Sequence, residues 1–377
     1  MRIDAIEVYY VVMPLLYPWR TAYGEDADIH TVLVRMVSNE GEGWGETCPF
    51  FAPTYSPETA HSAFFLISQI FAPQLVGQNI ESAEDLLARL QMFKGNPFAK
   101  AGVESAWWLL QARLAGQPLH RLLGGETRAV EAGADFGVQD SYDMLLTNIQ
   151  EAVDRGFKRV KLKVRPGWDL EMLRIVRDHF PRMTFHIDCN AGYTLDDLPF
   201  FKAVDRLNLA MIEQPLCHTD LVDHAELQRQ IETPICLDES IKSVRDFELA
   251  LKLGSCRVLN IKYGRVGGLL VARQLHDRAR EAGIPCWVGG MLESAIGAGI
   301  SIELATLPNF TYPNDLFESA RFYKQDLTDP ATHIQPHCTF LPSSVPGLPY
   351  QPVMNLLADS RSDQRGSPPA VVHARME

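Results

Sequence analysis

Lys163, Asp188, Glu213, Asp238 and Lys262 each end a short apolar run, in "VKLK", "FHID", "AMIE", "ICLD" and "VLNIK". They recur at spacings of 25, 25, 25 and 24 residues. Three carboxylates drawn into one partly dry pocket cannot all stay ionised without a cation. Asp188, Glu213 and Asp238 are therefore expected to hold a metal, and ligands that are oxygen only suit a hard ion, Mg²⁺ first and Mn²⁺ second. Lys163 precedes the acids and Lys262 follows them, which places an amine on either side of whatever the metal binds. Such a pair is built to take a proton from one face of a carbon and to manage it on the other. A substrate carboxylate on the ion would have its α-proton acidified, because the enediolate formed gathers charge beside the cation. A lysine acting as base must be neutral; Lys161 and the ion disfavour its charged form while the carboxylates oppose them, so a lowered pKa is expected. Taken singly, each acid reads as a helix cap or a solvated turn, and the lysines as a solvated strand face. The joint pattern argues against those readings.

The elements that must position these groups are visible in the period of the chain. In "RVKLKV" apolar and charged residues alternate, as in a β-strand. From about residue 130, strand-like segments ("VEAGADFGV", "RVKLKV", "TFHID", "LAMIE", "TPICLD", "CRVLNIK", "IPCWVGG") alternate with helix-length amphipathic ones, and "FTYPNDLF" completes a count of eight. Alternation of this kind means a parallel sheet, here a (β/α)₈-type barrel. A repeat of about 25 residues is expected to set the five ionisable groups at one level of the C-terminal rim. Residues 1–127 mix strand and helix patterns and read as an α+β lobe, 128–325 as the barrel, and 326–377 as a Pro-rich return toward the first lobe that ends in a disordered tail from Ser360. "NEGEGWGE" is a Gly-rich turn between strands, not a phosphate loop, since no helix with a Lys-Ser/Thr follows.

The chain has 377 residues and a net charge of −12, and clustered Lys and Arg for a nucleic-acid backbone are missing. Asp4 and Glu7 interrupt the N-terminal apolar stretch, and no run of eighteen apolar residues occurs, so neither a signal peptide nor a membrane span is expected and the protein reads as cytoplasmic. Seven cysteines without CxxC spacing are expected to be small apolar fillers.

Together "KLKV", "HIDCNAGY", "IEQPL", "TPICLDES", "LNIKYGRVGG" and "GGMLES" resemble the enolase superfamily, and within it the muconate-lactonising subgroup with lysines on both sides of the metal. The resemblance runs over about residues 1–330 and is greatest to the branch of o-succinylbenzoate synthase and N-acylamino acid (N-succinylamino acid) racemase. It implies a barrel with an N-terminal α+β capping domain completed by the C-terminal segment. It implies Mg²⁺ on Asp188, Glu213 and Asp238, acid/base roles for Lys163 and Lys262, and supporting roles for Lys161, Asn190, Glu239 and Arg265. Trp19 and Tyr23, in a cap loop "WRTAYGED", would close over the substrate, and Asp135, Met291, Glu293 and Ser294 would line it. For the last three a packed turn with a helix cap is an equal reading. The implied activity is dehydration of 2-succinyl-6-hydroxy-2,4-cyclohexadiene-1-carboxylate in menaquinone biosynthesis, racemisation of N-succinylamino acids, or both, by a homo-oligomer acting on a small carboxylate. Cycloisomerase and dipeptide epimerase activities are the alternatives, although the "DxD" of the latter appears only as Asp315-Leu316-Phe317. Arg265 agrees with the racemases. Tyr263, the sequence "ESAIGAGIS" and Asp135 depart from the branch, and an acid at 135 is hostile to a second substrate carboxylate.

Overall fold

The computed structural model of the chain describes residues 1–359 and 370–373. An antiparallel sheet opens the cap: β1 (Ala5–Thr21), β2 (Gly24–Ser38) and β3 (Gly41–Thr47). The stretch Trp19–Asp26, expected as a loop, is the tip of the β1–β2 hairpin, with Trp19 opposite Asp26 and Thr21 opposite Gly24. The pairing register shifts between Pro14 and Trp19, where proline has no N–H to donate. The Gly-rich segment contains only a short turn at Asn39 and Glu40, and the rest of it is β3.

Helix α1 (Pro97–Leu114) packs on that sheet, and its near-continuous burial follows from having the barrel on its other side. The glycines of β3 set the approach: a Cβ on Gly45 would lie 2.4 Å from the Ala106 nitrogen and 2.5 Å from the Gly102 oxygen. Backbone meets backbone there.

Seven parallel strands form the barrel wall in sequence order. They are β4 (Ala134–Phe136), β5 (Arg159–Lys163), β6 (Thr184–Asp188), β7 (Ile212–Glu213), β8 (Ile235–Leu237), β9 (Val258–Ile261) and β10 (Cys286–Val288). The intervening helices have strong local signals; Ser141 caps Tyr142–Arg155 by accepting from the Met144 N–H, and Gly156 ends it at φ 92°. The expected eighth strand is not a regular one, because Pro313 interrupts its donors. It closes the barrel through separate hydrogen bonds, Thr311 N–H to the Cys286 carbonyl (3.1 Å), Asp315 N–H to Val288 (2.9 Å) and Asn314 N–H to Glu131 (2.9 Å).

Beyond the barrel, Thr339–Phe340 pair with Val130–Glu131, and Ala370–His373 (β11) pair antiparallel with Ala5–Val8 of β1. Four residues of the tail expected to be disordered are thus a strand, since β1 offers them an open edge; residues 360–369 and 374–377 lie outside the described residues. Among the described residues no helix is long and apolar enough to cross a membrane.

Gly45→Ala is expected to lower unfolding stability by about 1–3 kcal/mol, because α1 and β3 must separate to admit the methyl group. An unchanged urea midpoint would contradict this packing.

Candidate active site

Cα pairing sets Lys163 beside Asp188 and Asp188 beside Glu213. The single level expected for all five groups then fails: Glu213 pairs with Cys236, so Asp238 stands two residues higher, and Leu237 pairs with Leu259, so Lys262 stands higher again. Barrel closure requires staggered strands, and a constant repeat length therefore does not keep a constant height. Two left-handed residues turn the chain just past the strands. Asn190 (φ 42°) presents its amide oxygen to Lys163 Nζ at 2.9 Å, and Gln214 (φ 35°) accepts from the Asp238 N–H at 3.0 Å.

All five groups are buried and paired. Lys163 Nζ lies 2.6 Å from Asp188 Oδ2, and Lys262 Nζ 2.8 Å from Asp238 Oδ2. Tyr55 donates to Asp238 Oδ1 at 2.8 Å and accepts from Lys262 Nζ at 3.1 Å. Arg265 also binds Asp238, and its remaining donors reach the Ile241 (2.9 Å) and Asn260 (2.6 Å) carbonyls. Lys161 is shared: its Nζ is 3.3 Å from Asp188, 3.5 Å from Glu213 and 3.6 Å from Asp135, and it donates to Asp315. Behind them, Asn190 donates to Glu239 (3.1 Å) and Asn260 to Glu213 (2.5 Å).

Burial works against the charge of Lys161, but Asp135, Asp315, Glu213 and Asp188 outweigh it and hold its pKa well above the ordinary lysine value. Lys262 is likewise held up against burial, by Tyr55 and Glu213. The lowered lysine pKa expected from sequence does not apply to Lys262 in this arrangement, because Tyr55, Glu213 and Glu239 together outweigh burial and the Lys161 charge. Burial, with Asp188 beside it, pushes Glu239 up to about 7.

The expected metal ligands do not form a ready cage. Among the described residues no three Asp, Glu, His or Cys side chains are arranged to hold a metal ion; Asp188, Glu213 and Asp238 are each drawn toward a lysine or arginine. Their chemistry nonetheless fits a hard divalent cation. The donors are all carboxylate oxygens, two of them already gather about the Lys161 ammonium, and Glu239 Oε2 is buried without a hydrogen-bond partner.

Lys163 and Lys262 open into one cavity, roofed by Trp19 and Tyr23 of the hairpin and by Phe50 and Tyr55 of the following loop, with Asp135 and Met291 on its walls. The hairpin is latched to the barrel by the Val138 N–H donating to the Arg20 carbonyl (3.0 Å) and by the Arg20–Asp140 ion pair. Two expected lining residues are elsewhere. Ser294 caps the helix Ala295–Leu304 and donates to Glu46 at 2.6 Å, and Glu293 accepts from the Met291 N–H at 2.8 Å, which supports the packed-turn reading for both. Tyr55 and Asn260 were missed, and Asp315 was read only as the remnant of a "DxD" motif. Asn260 shares a strand face with Lys262 and was available from the period of two; Tyr55 sits in an irregular loop with no such signal.

Residues 5–124 match the mandelate racemase / muconate lactonizing enzyme N-terminal domain model, and residues 144–353 match the enolase C-terminal domain-like model. The o-succinylbenzoate synthase of Geobacillus stearothermophilus is 41% identical over 352 residues, covering 92% of this chain and 94% of that protein. The N-succinylamino acid racemase of Thermus thermophilus is 40% identical over 331 residues, covering 88% and 90%. A crystal structure of an enolase-superfamily member from Listeria innocua superposes with a TM-score of 0.93 at 33% identity, over 99% of each chain.

Lys161→Met removes the cation shared by four buried carboxylates and is expected to cost about 3–5 kcal/mol of stability in the presence of chelator. Equilibrium urea denaturation checks this, and a loss below about 1 kcal/mol would mean that the other cations suffice.

Proposed function

From the premise that the chain belongs to the enolase superfamily, in its mandelate racemase / muconate lactonizing enzyme family, we propose that it removes a proton α to a carboxylate in a divalent-metal-dependent reaction. It is an enzyme of that family, and the reading extends to o-succinylbenzoate synthase activity, N-succinylamino acid racemase activity, or both. The observation that carries it is the cavity into which Lys163 and Lys262 both open, with carboxylates on the strands between them. The names of the 40%-identical relatives support the choice of substrates. Dipeptide epimerisation is disfavoured, because the carboxylate of Asp315 is engaged by Arg159 (2.7 Å) and Lys161 rather than free for an ammonium.

Mg²⁺, or Mn²⁺ in its place, held by Asp188, Glu213 and Asp238 with Asn190 and Glu239 behind them, would supply Lewis acidity toward the substrate carboxylate. Lys163 and Lys262 move the proton at the α-carbon, one from each face. Lys161, held charged by its acids, faces the oxygens that gain charge as the proton leaves. Trp19, Tyr23 and Phe50 exclude water from the exchange. Glu213, which helps to raise the Lys262 pKa, is among the residues that would hold the ion, and with its charge engaged there it would favour the protonated lysine less. In a dehydration one base suffices, and Lys262 then serves as a fixed cation.

Exhaustive chelation is expected to abolish turnover and added Mg²⁺ to restore it; full activity in demonstrably metal-free protein would exclude this mechanism. For racemisation, an N-succinylamino acid in D₂O gains deuterium at the α-carbon from either enantiomer. Lys163→Ala then stops exchange from one enantiomer and Lys262→Ala from the other, as NMR would show. If both variants lose both directions equally, the two-base scheme is wrong. Dehydration without any α-exchange by the wild type would leave the synthase alone.

A further inference from the structure

We propose that Asp135 is a specificity-determining residue, and that the substrate presents a hydrogen-bond donor, an amide N–H or a cationic side chain, to its unpaired carboxylate oxygen. This rests on the reading that Lys163 and Lys262 flank the reacting carbon, and it specifies the chemistry of the group beside that carbon.

Asp135 lies on β4 as the Cα partner of Lys161, and its side chain lines the cavity shared by the two catalytic lysines. Oδ2 is within 3.6 Å of Lys161 Nζ. Oδ1 is buried and accepts no hydrogen bond. Among the described residues several others carry a buried polar side-chain atom without a partner, including Arg159, His186, Glu239 and Asn260, but Asp135 alone of them lines this cavity.

Its charged neighbours are largely engaged elsewhere, Arg159 keeping only its Nε without a partner. The Lys161 ammonium is already divided among Asp188, Glu213 and Asp315, and Arg159 is held by Asp315 and by the Ala134 and Pro313 carbonyls. Burial and Asp315 raise the Asp135 pKa to about 6 against the pull of Lys161, Lys163 and Arg159. A buried anionic oxygen without a donor is costly, and a ligand that supplies the donor recovers that cost on binding. An ester, ether or carboxylate oxygen in the same place sets lone pair against lone pair. The site therefore discriminates by what stands next to the α-carbon, not only by the carboxylate it activates.

The test uses the Mg²⁺-loaded enzyme and three compounds of one carbon framework: N-acetylnorleucine, its ester analogue 2-acetoxyhexanoate, and Nα-acetyllysine. Deuterium exchange at the α-carbon is measured for wild type, Asp135→Ser and Asp135→Asn. If the amide is the donor, wild type favours N-acetylnorleucine over the ester by about 10- to 100-fold more than the variants do. If a cationic side chain is the donor, the same factor separates Nα-acetyllysine from N-acetylnorleucine. Comparing ratios between enzymes cancels both the intrinsic acidity of each compound and the folded fraction of each preparation. Equal ratios in wild type and both variants would overturn the proposal. Absence of exchange from all compounds in wild type would instead fail the racemase part of the functional reading, and Kd ratios from calorimetry with the same three compounds then decide the role of Asp135 without turnover.

Discussion

The structure depends on keeping a dense set of charges neutral inside a barrel. Asp135, Asp188, Glu213, Asp238, Glu239 and Asp315 face Arg159, Lys161, Lys163, Lys262 and Arg265, all of them buried. Isolated, any one of them would be expelled or would lose its charge. Together they form a lattice in which Lys161 alone serves four acids and Asp238 alone takes Lys262, Arg265 and Tyr55. A network so constrained fixes its members in direction as well as in charge. That is what a proton-transfer site needs, since a base displaced by an ångström loses much of its advantage.

The cap is bound to the barrel by the same means at its periphery. Glu104 of α1 accepts from the Leu269 and Leu270 N–H groups (2.7 and 2.8 Å), and Glu46 of β3 from those of Ser294 (3.1 Å) and Gly297 (2.8 Å), so cap carboxylates complete the N-termini of two barrel helices. Glu58 does so within the cap for α1, through Phe98 (2.9 Å) and Ala99 (3.0 Å), and thereby anchors the loop that carries Tyr55. Burial raises Glu58 and Glu104 to about 7 despite these bonds. By contrast the hairpin tip is held by the exposed Arg20–Asp140 and Arg20–Glu25 pairs, which are individually weak. The body of the cap is fixed and its tip is comparatively loosely held, which matches a division between support and access.

The chemistry of the site follows from which acids are shared and which are not. Asp315 is fully engaged with Arg159 and Lys161, Glu213 with Lys161 and Asn260, and Asp188 with Lys161 and Lys163. Asp135 keeps one oxygen toward the cavity. In the proposed reading, proton transfer and substrate selection fall to different members of one electrostatic network.

The amino-acid sequence alone determined the residue types, their repeat and their face: strand period and βα repeat are local properties, so Lys163, Asp188 and Glu213 were legible as neighbours, and the cap-then-barrel order with them. The rise from Glu213 to Asp238 to Lys262 was not, because stagger belongs to the closed barrel and no single repeat contains it. Nor was the loss of the eighth strand as a regular element, which Pro313 hinted at but which hydrogen bonds to Cys286, Val288 and Glu131 compensate from far along the chain. Tyr55 is brought to Lys262 across 207 residues of sequence, and Ser294 is turned onto Glu46 across 248. Only tertiary structure decided such contacts, since burial and pairing of a polar group are properties of what surrounds it and not of the segment that carries it.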